Sequence, residues 1–190
     1  ANLEKAVAQN PKDTRAAIEL AIVYARMGQT QEAIDAAEAL VKRDPSNLAM
    51  VNFLGNVRGR LGDPKGTRAA YEQALAKDPK FRPVIINISW LDIDEGRFDE
   101  ARNRLKAHLK DNPKDPDVLF QMGVLEQRAR RPAEALAYWT EADKVQQKDP
   151  RPGLALVDLH LSQRQLDTAV ATAKLVASRY PDAAPAQLML

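Results

Sequence analysis

The chain has 190 residues, 45% hydrophobic and 28% charged, and its 28 Lys and Arg against 26 Asp and Glu leave a formal net charge of +2. That balance excludes both a membrane-embedded core and an intrinsically disordered chain, and no run of like charges supplies a nucleic-acid arm or a polybasic anchor. Cysteine is absent, which removes disulfides and thiolate metal sites and leaves reducing and oxidising compartments equally open.

Aromatics make up only 5% of the chain, while Ala, Leu, Arg, Lys and Glu are abundant. These residues lose least on entering a helix, so an all-α fold is expected. No apolar run approaches the ~18 residues of a membrane span, so no direct membrane insertion is expected. The opening Ala1-Asn2-Leu3-Glu4-Lys5 is not a signal segment, and an upstream or cleaved one stays open.

Residues 1–13 carry Leu3, Ala6, Val7 and Pro11 at the spacing of the second helix of a preceding unit. Prolines then recur every 34 residues at Pro45, Pro79 and Pro113, which marks a stacked array. With Thr14 as position 1, units fit without insertion at 14–47, 48–81, 82–115, 116–149 and 150–183, and 184–190 begin another. Position 7 is large and apolar (Leu20, Leu54, Ile88, Met122, Leu156), and position 8 is mostly small (Ala21, Gly55, Ser89, Gly123, Val157). Position 20 is also small (Ala33, Thr67, Ala101, Ala135, Ala169), which lets two helices cross closely.

Gly28, Gly62 and Gly96 stand at position 15, where a left-handed residue ends the first helix of a pair; Arg130 and Arg164 replace them in the last two units. A left-handed backbone is expected at Arg130 at least. Gln147 stands where other units have Pro, which predicts a longer second helix in the fourth unit.

Leu54-Gly55-Asn56, Gly62-Asp63, Tyr71, Ala74-Leu75 and Asp78-Pro79 resemble the tetratricopeptide repeat signature, and the resemblance covers essentially the whole chain. The family's aromatic at position 4 is missing, and its Tyr at position 11 survives only as Tyr24. The resemblance implies an all-α, right-handed superhelical solenoid of antiparallel helix pairs. It also implies a concave groove lined by the first helix of each pair that holds a protein or peptide segment. Transferred onto this sequence, the groove residues are Ile18, Ile22, Asn52, Asn56, Arg60, Ile86, Asn87, Trp90, Ile93, Phe120, Val124 and Gln127. Burial of Ile86, Trp90 and Phe120 between successive helices is the competing expectation, and solvent-facing filler is the competing reading of the asparagines. Asn52 and Asn56, one turn apart, would offer amides to a peptide backbone, joined by Asn87. The family's clamp for a chaperone's C-terminal carboxylate is not expected, because its places hold Ile18, Ile22, Pro83 and Asn87.

Position 11 runs Tyr24, Arg58, Asp92, Glu126 and His160, a row with acid–base chemistry. Equivalent positions lie about 8–10 Å apart between stacked helices, so ion pairs Arg58–Asp92 and Glu126–His160 are expected instead of catalysis. His108 and His160 have no metal-site spacing, and no phosphate loop or nucleophile elbow occurs, so neither enzyme nor cofactor is expected. Asp94, Asp117 and Asp158 near the groove argue against nucleic acid. The Ala-, Arg- and Asp-Pro-rich units also resemble tetratricopeptide lipoproteins of bacterial exopolysaccharide and PEP-CTERM systems. That implies an acylated Cys upstream and a periplasmic or envelope address, with the cytoplasm left open. Both ends stop in mid-unit, so the chain reads as part of a longer array whose Leu3, Val7, Leu188 and Leu190 favour end-to-end self-association.

Overall fold

The computed structural model describes residues 2–10 and 13–181; Pro11, Leu188 and Leu190 lie outside them. Among the described residues there are eleven helices and no strand. They divide into two compact units, Ala1–Leu91 and Asp92–Leu190.

The first unit holds α1 (Asn2–Gln9), α2 (Thr14–Arg26), α3 (Thr30–Arg43), α4 (Leu48–Arg60), α5 (Pro64–Lys77) and most of α6 (Arg82–Asp94). The second holds α7 (Phe98–Asp111), α8 (Pro116–Arg128), α9 (Pro132–Val145), α10 (Pro150–Ser162) and α11 (Leu166–Arg179). Helices start where a side chain can take an orphan amide: Asp13, Asn47, Asp63 and Asp115 each accept from a backbone N–H three residues on. Pro64, Pro116, Pro132 and Pro150 occupy first-turn positions, where the missing N–H costs nothing.

Within a pair, the turn is set by the backbone. Gly28, Gly62 and Gly96 have φ of 73°, 80° and 75°, and Arg130 and Arg164 follow them at 59° and 60°. Both arginines therefore adopt the left-handed conformation expected at Arg130, at a cost of about 1 kcal/mol each. The residue after each of the five donates to the carbonyl five residues back, as in Gln29 to Tyr24 and Arg131 to Glu126.

Packing inside each pair follows a size rule. A Cβ on Gly55 would stand 2.4 Å from the Tyr71 ring, and one on Gly123 would stand 2.3 Å from the Trp139 ring. The aromatic ring thus fills the volume that glycine vacates, while Ala21 is matched by Ala37, and all four non-glycine side chains are buried. In the first unit this layer continues through Val51, Leu54, Ala70, Ala74, Val84 and Ile88. In the second, Trp139 packs with Ala135, Leu156 and Leu159.

The longer helix expected in the fourth repeat is not found. α9 ends at Val145 and has 14 residues, as do α3, α5, α7 and α11. Gln146 leaves the helix at φ −127°, ψ 84° without a proline to force it. The stop comes from downstream, because Asp149 must already cap α10 and its own N–H donates a turn bond to the Gln146 carbonyl.

Candidate functional site

The surface of the first unit formed by α2 and α4 carries a cleft of about 430 Å³, lined by Ile22, Ala25, Arg26, Phe53, Asn56, Val57, Arg60 and Leu61. Its volume lies at the lower end of the ~300–1,000 Å³ typical of ligand clefts. Three groove residues expected from the sequence, Ile22, Asn56 and Arg60, meet there; Ala25, Arg26, Phe53, Val57 and Leu61 complete it. Apolar side chains form the floor because the helix period brings Ile22 and Ala25 to one side of α2 and Phe53 and Val57 to one side of α4. Arg26 and Arg60 have no acidic partner among the described residues.

Beside the cleft lies an amide ladder. Asn87 Nδ2 donates to Asn52 Oδ1 at 2.8 Å and to Asn56 Oδ1 at 3.2 Å, and the Tyr71 hydroxyl donates to Asn56 Oδ1 at 2.7 Å. These bonds use the oxygens of Asn52 and Asn56 and leave both Nδ2 groups and Asn87 Oδ1 unpaired among the described residues. Burial pushes the Tyr71 phenol up to about 12, so it stays a donor throughout the physiological range. The part of Tyr71 in this ladder was not visible in the sequence, where Tyr71 figured only in the repeat signature. Ile18, Ile86 and Trp90 are half-buried side chains of α2 and α6.

In the second unit the corresponding residues are differently placed. Phe120 and Val124 pack against the Trp139 cluster, and Trp139 Nε1 donates to the Phe120 carbonyl at 3.1 Å. The Arg151 guanidinium sits 5.0 Å from the centre of the Phe120 ring, where the ring's quadrupole attracts it. Asp149 and Asp117 hold Arg151 in place at 2.7 and 2.6 Å and raise its pKa further, so its charge is permanent. Gln127 is half-buried. Ile93, expected to face the groove, is 2% exposed and is a core side chain. A β-branched apolar residue gains more from burial than from lining a wet surface.

The ion pairs expected along position 11 are replaced. Arg58 meets Glu38 at 2.5 Å; Asp92 meets Arg97 at 3.0 Å and also pairs with Arg104. Glu126 is bound in two parallel bonds by Arg102, at 2.7 and 3.0 Å, with both side chains buried. His160 Nδ1 meets Gln165 Oε1 at 2.8 Å. Partners come from second helices or from the adjoining turn, because those backbones lie closer than the next first helix. Among the described residues no group of three or more His, Cys, Asp or Glu side chains is arranged to hold a metal, and no helix is long and apolar enough to cross a membrane.

Helix pairs closed by a left-handed turn and stacked through small residues define a helical-repeat array, a fold that works through an extended side-chain surface. The tetratricopeptide repeat model matches residues 1–56 and 60–119, and the chain belongs to that family. It is 26% identical over 150 residues to the type IV pilus assembly protein PilF of Pseudomonas aeruginosa, covering 78% of this chain and 60% of that protein. It is 28% identical over 182 residues to cellulose synthase operon protein C of Pseudomonas fluorescens, covering 92% of this chain and 14% of that protein. The chain thus spans less than two thirds of either relative. Among solved structures, Pseudomonas aeruginosa PilF superposes with a TM-score of 0.71 at 25% identity, over 92% of this chain and 79% of that one. The type IV pilus biogenesis factor PilW superposes with a TM-score of 0.75 at 19% identity, over 98% and 86%, a likeness of fold.

Proposed function

We propose that the chain is a non-catalytic scaffold that holds a segment of a protein partner on its first-helix faces. In the first unit the contacts are Ile18, Ile22, Asn52, Asn56, Arg60, Ile86, Asn87 and Trp90. The observation that carries this reading is the cleft at Ile22, Asn56 and Arg60, with the unpaired amide donors of Asn52 and Asn56 beside it. An apolar floor edged by unspent donors suits a chain that brings both a side chain and backbone carbonyls. In the second unit, Val124 and Gln127 are candidate contacts, with Phe120 reached only where Arg151 moves aside. A photo-crosslinking residue at position 22, 56 or 90 of the full-length protein, in the cells that make it, should give adducts with a protein. Adducts arising only from exposed positions 38 and 73, on second helices, overturn the reading.

A second reading is an architectural segment of a bacterial envelope complex for exopolysaccharide or surface-protein export. The two relatives support it, one named for type IV pilus assembly and the other for a cellulose synthase operon. Fractionation of the producing bacterium should then recover the full-length protein with the envelope. Recovery in the cytosol removes this reading and leaves the scaffold intact.

A further inference from the structure

We infer that the cleft of the first unit takes an internal protein segment in which a large apolar side chain lies next to an aspartate or glutamate. The inference rests on the scaffold reading above and names the chemistry of its partner. Arg26 and Arg60 occupy the same repeat position, the thirteenth, on neighbouring first helices. The second unit shows what that position can do: Arg128 and Asp94 are its occupants there, and they approach to 3.9 Å. Side chains at this position therefore reach one another between neighbouring pairs. In the first unit the two occupants are both cations, both border the cleft, and neither has an acidic partner among the described residues.

Two guanidiniums within reach of one another repel, and one carboxylate between them satisfies both through charge-assisted hydrogen bonds. No acidic residue lines the cleft, so that carboxylate must come from the occupant. Immediately beside the arginines, the half-buried Ile22 and Phe53 offer apolar surface to a neighbouring side chain. Past them the amide ladder leaves Asn56 Nδ2 and Asn52 Nδ2 free to donate to main-chain carbonyls. Asn56 and Asn52 lie one and two helical turns from Arg60 along α4, so a bound chain that also meets these donors continues beyond the acidic residue. The occupant is therefore a segment within a chain, and its acid is a side chain.

The test uses the 190-residue chain and short labelled peptides, blocked at both ends, carrying Phe-Glu, Phe-Gln, Gly-Glu or Phe-Lys at the centre. A further peptide places Phe at a free C-terminus with no acidic side chain. Fluorescence anisotropy should show Phe-Glu bound about tenfold or more tightly than Phe-Gln or Phe-Lys, because the lost bonds are charge-assisted. Gly-Glu should also bind weakly. The Arg26→Gln/Arg60→Gln double variant should bind Phe-Glu and Phe-Gln equally, and added salt should erase the preference in the parent chain. Equal binding of Phe-Glu and Phe-Gln by the parent chain overturns the inference, as does a preference unaltered in the double variant or tighter binding of the free C-terminus. Crosslinks from positions 22 and 56 to a partner that lacks such a segment defeat this inference alone. Crosslinks only from positions 38 and 73 defeat the scaffold reading with it.

Discussion

The two units use the same repeat positions on their first-helix faces and leave them in opposite states. In the second unit Phe120 lies under Arg151, Arg151 is held by Asp117 and Asp149, and Arg128 faces Asp94. In the first unit the arginines at the position of Arg128 and Asp94 are like-charged and unmatched, and the apolar floor beside them is open. The difference lies in a few side chains, because the helix lengths and turns are the same. A repeat array can thus close one stretch of its surface and keep another available with no change of backbone.

The largest expected effect tests how firmly the second unit is closed. Glu126→Leu leaves Arg102 buried without its main partner and should cost about 3–5 kcal/mol in chemical unfolding, whereas Arg102→Met with Glu126→Leu should come within about 1 kcal/mol of the parent. A double variant as unstable as the single one would show that the pair contributes net stability. Next is the size rule: Gly55→Ala forces a methyl into the Tyr71 ring and should cost about 1–3 kcal/mol. Gly55→Ala in a Tyr71→Leu background should cost clearly less, giving a coupling of about 0.5–3 kcal/mol. Additive losses would mean that ring and glycine do not share the space.

Smaller effects separate the surfaces by sign. Arg60→Gln should leave thermal stability unchanged or raise it, by at most about 0.5 kcal/mol, because it removes a like-charge neighbour. Arg128→Gln should lower it by no more than the same amount, because it removes an attraction. A lower melting temperature for Arg60→Gln would reveal a partner for that arginine. The last effect appears only at alkaline pH. The Tyr71 pKa is raised from 10.0 to about 12 in the fold, so its stabilising share is complete below pH 10 and is lost as pH climbs toward 12. Absorbance titration should find Tyr71 the last of the four tyrosines to ionise, and Tyr71→Phe should remove that step and the matching loss of stability. Its counterpart Trp139 has no such proton, so this loss should be absent from that layer.

Much of the fold was legible because period and backbone demand agree. The 34-residue spacing, the small residues at crossings and the glycines at the turn each answer one geometric need, and the structure meets those needs at the same places. The functional surface was less so. Arg102 and Glu126 are 24 residues apart on a second and a first helix, so comparing one repeat position along the chain could not pair them. The same comparison led to Arg58–Asp92 and Glu126–His160. Arg151 covering Phe120 escaped notice because no groove residue was transferred onto the fifth repeat, from which Arg151 comes. Ile93 was placed in the groove by its position, yet its burial shows that position alone does not settle exposure.

The left-handed turns at Arg130 and Arg164 bear on how such a chain can change over generations. In each turn the left-handed residue itself makes no side-chain bond among the described residues, so it can be exchanged for a small, local penalty that no other turn shares. The fourth and fifth repeats have used that freedom to place a cation on the exposed rim where the first three have only hydrogen. Surface charge can therefore drift from repeat to repeat while the stacking beneath it is inherited unchanged.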